Sequence, residues 1–232
     1  MTEPTENKET FLDHCAPYRD AEGAMTLQKD PPKDSCDNLL LFTATMTVIA
    51  HLKGEIGAAE WDDFDRLVLS HEIQGGSYRR HLGEHVPSSW DDHFGIACAS
   101  AICGFKHLAE DVMNFGVRND WTWGGNWLGR IPAFVPTIRA AAGLPLSIGS
   151  QIQMAGVFIA NLFEAKSETS GKCLLSIAWL VHREKAGPLL ALAMNIWRAR
   201  IELTYGGMGG VYAIYFGLTH PFALYPPEFP GT

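Results

Sequence analysis

The chain has 232 residues, 47% of them hydrophobic, and a formal net charge of −8 at pH 7. This suffices for one large domain or two small ones with a buried core. Scattered Lys and Arg in an acidic chain argue against nucleic acid as a partner, because phosphate binding needs cations clustered on one face. Cys15, Cys36, Cys98, Cys103 and Cys173 form neither an even set nor a CxxC pair, so reduced thiols in a cytoplasm are expected rather than a disulfide framework or zinc knuckle.

The start, MTEPTENKET, lacks the basic and apolar regions of a signal peptide. Residues 1–34 read as a polar arm: they contain DPPKD and hold no sustained period, and residues 1–30 alone carry half of the net charge. Next, NLLLFTATMTVIAHLK predicts a helix over 38–53 with Gly54 as its stop, and 58–71 a second, more amphipathic one. Gly75 and Gly76 open a polar loop, SYRRHLGEHVPSSWDDHFG, which feeds a third helix from Trp90 toward Phe115. After a Trp- and Gly-rich loop, helices are expected from Pro132 to Ala142, Leu146 to Ala165, Lys172 to Lys185 and Pro188 to Tyr205. A glycine run, GGMGG, then interrupts, VYAIYF is ambiguous between strand and helical turn, and 219–232 form a proline-rich tail. No window gives the ~18–20 uninterrupted apolar residues of a membrane span. The most apolar windows, 144–163 and 173–197, are broken by residues such as Gln151, Gln153, Asn161 and Arg183 and read as buried helices.

The class is therefore all-α, with about seven or eight helices in one domain over 35–218 and an inner set wrapped by an outer one. The pattern Ser-x-Asp-(Asn/Asp) begins at Ser35 and again at Ser89, each time opening an apolar helix. Such spacing fits layered helical hairpins, an α/α toroid or an open α/α array.

Two readings meet in SSWDDHFG. Ser88 or Ser89 suits an N-cap, with Asp91 and Asp92 placing negative charge on the positive end of the helix. Alternatively, paired carboxylates at an inner helix start work as acid and base in a cleft. WTWGGNWLGR offers Trp121, Trp123 and Trp127 either as flat faces for sugar rings or as aromatic plugs of the core. HLGEH matches the inverted zinc-protease pattern H-x-x-E-H, but Gly83 and Pro87 oppose the helix that pattern needs, so no metal site is expected. Cys36 at a helix start reads as an activated thiol or, more simply, as a buried cysteine. GGMGG lacks a preceding strand and a following Lys-Ser/Thr, which makes it a hinge or packing site rather than a phosphate cradle, and no cofactor is implied.

SWDDHFGIACASAI and SCDNLLLFTA resemble the acid-bearing helix openings of α/α-toroid glycan-active enzymes of the unsaturated glucuronyl hydrolase type. The resemblance covers residues 35–105 and implies Asp37 with Asp91 or Asp92 as catalytic acids and Arg79 or Arg80 gripping an acidic glycan; beside it, His93 and the flat faces of Trp121, Trp123 and Trp127 are expected to complete the substrate site. Complete toroids have about twice as many helices as this chain supplies, so a partial or open version is implied. The loops and the AIYFGLTHPFALY ending also resemble uncharacterised proteins of tailed bacteriophages. Such proteins include virion parts, lysis enzymes and host-takeover factors, so that resemblance leaves the role open; the second reading of the chain is a non-catalytic structural or assembly protein, for example of a virion, docking on other chains through its terminal arms or as a homo-oligomer. Neither reading needs a membrane or a nucleic acid, and a cysteine hydrolase at Cys36 stands third.

Overall fold

The computed structural model describes residues 10–25, 39–123, 126–127, 134–163 and 169–204. Among them are nine α-helices, α1 (Phe11–Cys15), α2 (Leu39–Leu52), α3 (Ala58–Ser70), α4 (Trp90–Ile102), α5 (His107–Arg118), α6 (Phe134–Ala141), α7 (Ile148–Phe163), α8 (Thr169–His182) and α9 (Pro188–Thr204). Two short antiparallel ribbons complete them: β1 (Glu72–Gln74) with β2 (Ser77–Tyr78), and β3 (Thr122–Trp123) with β4 (Asn126–Trp127). The protein is all-α, with α2 and α4 as the inner pair.

α2 is apolar on every face, and each residue from Leu39 to Ala50 is buried. Its threonines keep this burial from leaving unpaired hydroxyls: Thr43, Thr45 and Thr47 each donate to the carbonyl four residues back, at 2.8 Å. α4 packs against α2, α5, α6 and α8. At Gly95 it lies so near α2 that a methyl group would stand 2.9 Å from Leu41 Cα. Large side chains of the two helices, such as Leu40, Leu41, Ile49, Phe94 and Ile96, are fully buried, each worth roughly 1.5–3 kcal/mol.

The single helix expected from Trp90 to Phe115 is two. Gly104 adopts φ +97°, its N–H donates to Ala101 O (3.4 Å), and Phe105 N–H reaches back to Ser100 O (2.8 Å). That pair of bonds ends a helix with a left-handed residue that glycine adopts without a Cβ penalty. The same pair closes α2 at Gly54 and α6 at Gly143, both anticipated stops.

Two further differences come from short elements. The ribbons are only two or three residues long, so they carry no readable alternation, although Gly75-Gly76 is a hairpin signal. Within the residues read as an arm, 10–25 pack onto the body. Thr10 and Asp13 form a reciprocal cap on α1, and Glu55 accepts from Phe11 and Leu12 N–H groups (3.1 Å each). Cys15, Ala24 and Met25 join the core, and Met25 N–H donates to Thr43 Oγ1 (2.9 Å). The remainder of 1–34, together with VYAIYF and the tail at 219–232, lies outside the described residues.

Candidate functional site

The first turn of α4 carries Asp91, Asp92 and His93, and it turns Asp92 and His93 inward. Asp92 is 0% exposed. One carboxylate oxygen accepts from Leu41 N–H (2.8 Å) and the other from the Ser88 hydroxyl. Leu41 lies in the first turn of α2, so Asp92 caps a neighbouring helix, with its charge on the positive end of that helix. Ser89 holds the N-cap position of α4 in an extended conformation without a side-chain cap bond, which corrects the expectation that Ser88 or Ser89 caps its own helix. Burial raises the Asp92 carboxyl to about 6 against the two hydrogen bonds, with Asp91 adding to the rise and Arg80 opposing it.

His93 is sealed beside it. Its Nε2 accepts from Tyr78 N–H (3.1 Å), so the proton sits on Nδ1 and is donated to Ser89 O (2.8 Å). Burial lowers His93 to about 4. The ring packs between Tyr78 (5.7 Å between centroids) and Trp123 (5.5 Å). Trp123 itself fills the core against Phe115 and Phe134, while Trp121 is half-buried against both Trp123 and Phe134. Thus neither Asp92, His93 nor Trp123 presents a face to solvent.

Of the other expected residues, Arg79, Arg80 and Asp91 can be placed side chain by side chain. Arg79 is half-buried and donates from its guanidinium to Glu72 O (2.7 Å), clasping the β1–β2 ribbon. Arg80 and Asp91 are half-buried near Asp92. Trp127 belongs to β4, and Asp37 and Cys36 lie outside the described residues. HLGEH is a turn, with Gly83 at φ +91° and His81 N–H donating to Glu84 (3.3 Å). Among the described residues no three His, Cys, Asp or Glu side chains are grouped to hold a metal.

The buried histidines give the fold an acid sensitivity. His182, held at 3.0 Å from Thr137 Oγ1, is lowered to about 4 by burial and by Lys185. For both histidines, stability is fully present above the unfolded value near 6.5 and is lost as pH falls toward 4. Asp92 acts oppositely: its contribution is present below 3.8 and is lost as pH rises through about 6. His71, also buried and lowered by burial, acts in the same direction as His93 and His182, so urea denaturation between pH 6.5 and pH 4 should show a net loss of about 3 kcal/mol or more on acidification. Asp92→Asn should make that loss steeper.

Two surface features remain. An open cleft of about 470 Å³ lies between residues 12–23, α2 and α3; Glu22, Glu60, Asp63, Arg19 and Arg66 line it, with Met46 and Phe64 among its apolar residues. Glu60 reaches back to Gly57 N–H (2.8 Å), which lowers its pKa, and Asp63 pairs with Arg66.

The second feature was missed in the sequence, where the windows holding α7 and α9 read as buried helices. Gly187 N–H donates to Gln151 (2.8 Å) and Phe158 meets Trp197 (5.5 Å), so α7 and α9 run parallel. Their shared seam buries Met154, Ala155, Phe158, Leu190, Ala193, Met194 and Trp197. Their outer faces leave Ile148 (78%), Ile152 (56%), Ile159, Leu189, Leu192 (58%) and Ile196 exposed. No acid or base occurs in 148–163 or 186–197. That absence was the available signal: a helix that faces water normally carries charge on its outer side. No helix among the described residues is long and apolar enough to cross a membrane. The chain matches no family model, no curated protein and no solved structure.

Proposed function

We propose that the protein is a non-catalytic structural component that works by docking on other protein chains, such as a part of a virion or another symmetric assembly. The observation that supports this reading is the apolar outer face that α7 shares with residues 188–197 of α9, ahead of Arg198, Arg200 and Glu202 in the last turns of α9. Isolated exposed leucines are ordinary, but six large aliphatic side chains on adjacent helices with no charge among them mark an interaction surface. The buried carboxylate of Asp92 has a structural use in this reading, since it ties α4 to α2.

A second reading, a glycan-processing hydrolase or lyase, draws support from the cleft beside α3. Its carboxylates, Glu22, Glu60 and Asp63, stand with Arg19 and Arg66 in an open space of ligand size. In that reading these groups, rather than Asp92, meet an acidic sugar.

Incubating the full chain with a panel of acidic and neutral glycans separates the two. The docking reading expects no product. Product that disappears in Glu60→Gln or Asp63→Asn would overturn it in favour of a carboxylate-dependent glycan enzyme.

A further inference from the structure

We infer that the face of α7 and α9 is a self-association surface, and that a second copy of this chain covers it. This inference rests on the docking reading and names its partner. Three observations favour a like copy.

The first is charge. At −8 the chain repels its own copies through most approaches. A face with no acid in 148–163 or 186–197 escapes that repulsion and is complementary to itself. Two-fold association sets identical patches against each other, and a neutral apolar patch meets that condition without a matched set of opposite charges.

The second is pattern. Leu189, Leu192 and Ile196 follow the i, i+3, i+7 spacing of a helix-packing stripe. On α7 the stripe passes through Ile148, Ile152, Gly156 and Ile159, and a Cβ added at Gly156 would meet nothing within 4 Å. Glycine there lets a partner helix come close to the backbone. Two such parallel pairs stacked face to face make a four-helix layer.

The third is size. The 16 residues of α7 rise ~24 Å, and two packed helices span ~20 Å. The uncharged stretch of α9, residues 188–197, rises ~15 Å, so each copy offers a footprint of ~400 Å², or ~800 Å² for the pair, the size of a weak, reversible interface.

Sedimentation equilibrium of the full chain tests the inference, with Ile152→Lys and Leu192→Lys beside it. Both positions are more than half exposed, so lysine is tolerated in the monomer, and circular dichroism checks that each variant is folded. The wild type should have twice the 25.5 kDa of one chain. Each variant should associate at least ~100-fold more weakly, because the interface would bury an unpaired ammonium. A monomeric wild type would overturn the inference, whether residues 205–232 or a different protein then covers the face. A dimer that survives both substitutions would overturn it as well. Either failure leaves the docking reading standing unless the full chain also turns over a glycan.

Discussion

Asp92→Ala is expected to destabilise the protein by about 3–4 kcal/mol in urea denaturation at pH 7, while Asp92→Asn stays within about 1 kcal/mol of wild type. The contrast follows from what each change leaves behind. Alanine strips both partners at once: Leu41 N–H, in the first turn of a helix buried on all sides, and the Ser88 hydroxyl. Each buried group left without a partner costs about 1–3 kcal/mol, and the small cavity adds to that. Asparagine keeps an oxygen for Leu41 N–H and an amide that Ser88 can accept from, and it removes the cost of burying an ionised carboxylate. Equal losses in the two variants would show that charge, rather than hydrogen bonding, is what α2 requires from α4.

Gly76→Ala should cost about 3 kcal/mol or more by the same measurement, against less than about 1 kcal/mol for Gly75→Ala. Both glycines sit in the turn between β1 and β2, yet only one is constrained. At Gly76 the backbone is left-handed, φ +85°, and a Cβ would fall 2.0 Å from the carbonyl oxygen of Asp111 and 2.8 Å from Val112 N. Those atoms belong to the backbone of α5, which cannot step aside as a side-chain tip can. At Gly75 nothing lies within 4 Å. The same contact explains how a ribbon of so few residues keeps its place: it leans on α5, and Arg79 and Arg118 clasp it through Glu72 O and Gly75 O. A mild Gly76→Ala would mean that the ribbon lifts off α5 at little cost.

The parts of the fold legible in the sequence are those whose signals are local. NLLLFTATMTVIAHLK is apolar around its whole circumference, and α2 is buried around its whole circumference. The expected helix over 58–71 ends as α3 within one residue, because alternation of polar and apolar faces is written into the segment itself. The break at Gly104 was missed because the apolar pattern resumes at once with Leu108 and Ala109 on α5, so periodicity ran across a stop that only the glycine announced.

The candidate site was less legible for a different reason. The sequence displays the carboxylate of Asp92 but not its partner, which lies 51 residues away on another helix. The same residue types serve a catalytic pair and a buried inter-helix cap, and only burial distinguishes them. Trp123 poses the same ambiguity and is resolved by its place among Phe115, Phe134 and His93. For α7 and α9 the apolar composition reads as buried helices, whereas the structure buries only one side of each and leaves Ile148, Ile152, Leu189 and Leu192 exposed. Composition alone does not separate the two cases, since a helix enclosed by its own domain and one with an apolar outer face are written alike.

The proposed self-association through α7 and α9 has one direct thermodynamic consequence, because a fold that binds a partner copy gains stability by mass action. The thermal midpoint of the wild type should rise by several degrees over a hundredfold increase in protein concentration, and that rise should vanish in Ile152→Lys. A wild-type midpoint that does not change with concentration would contradict self-association through this face.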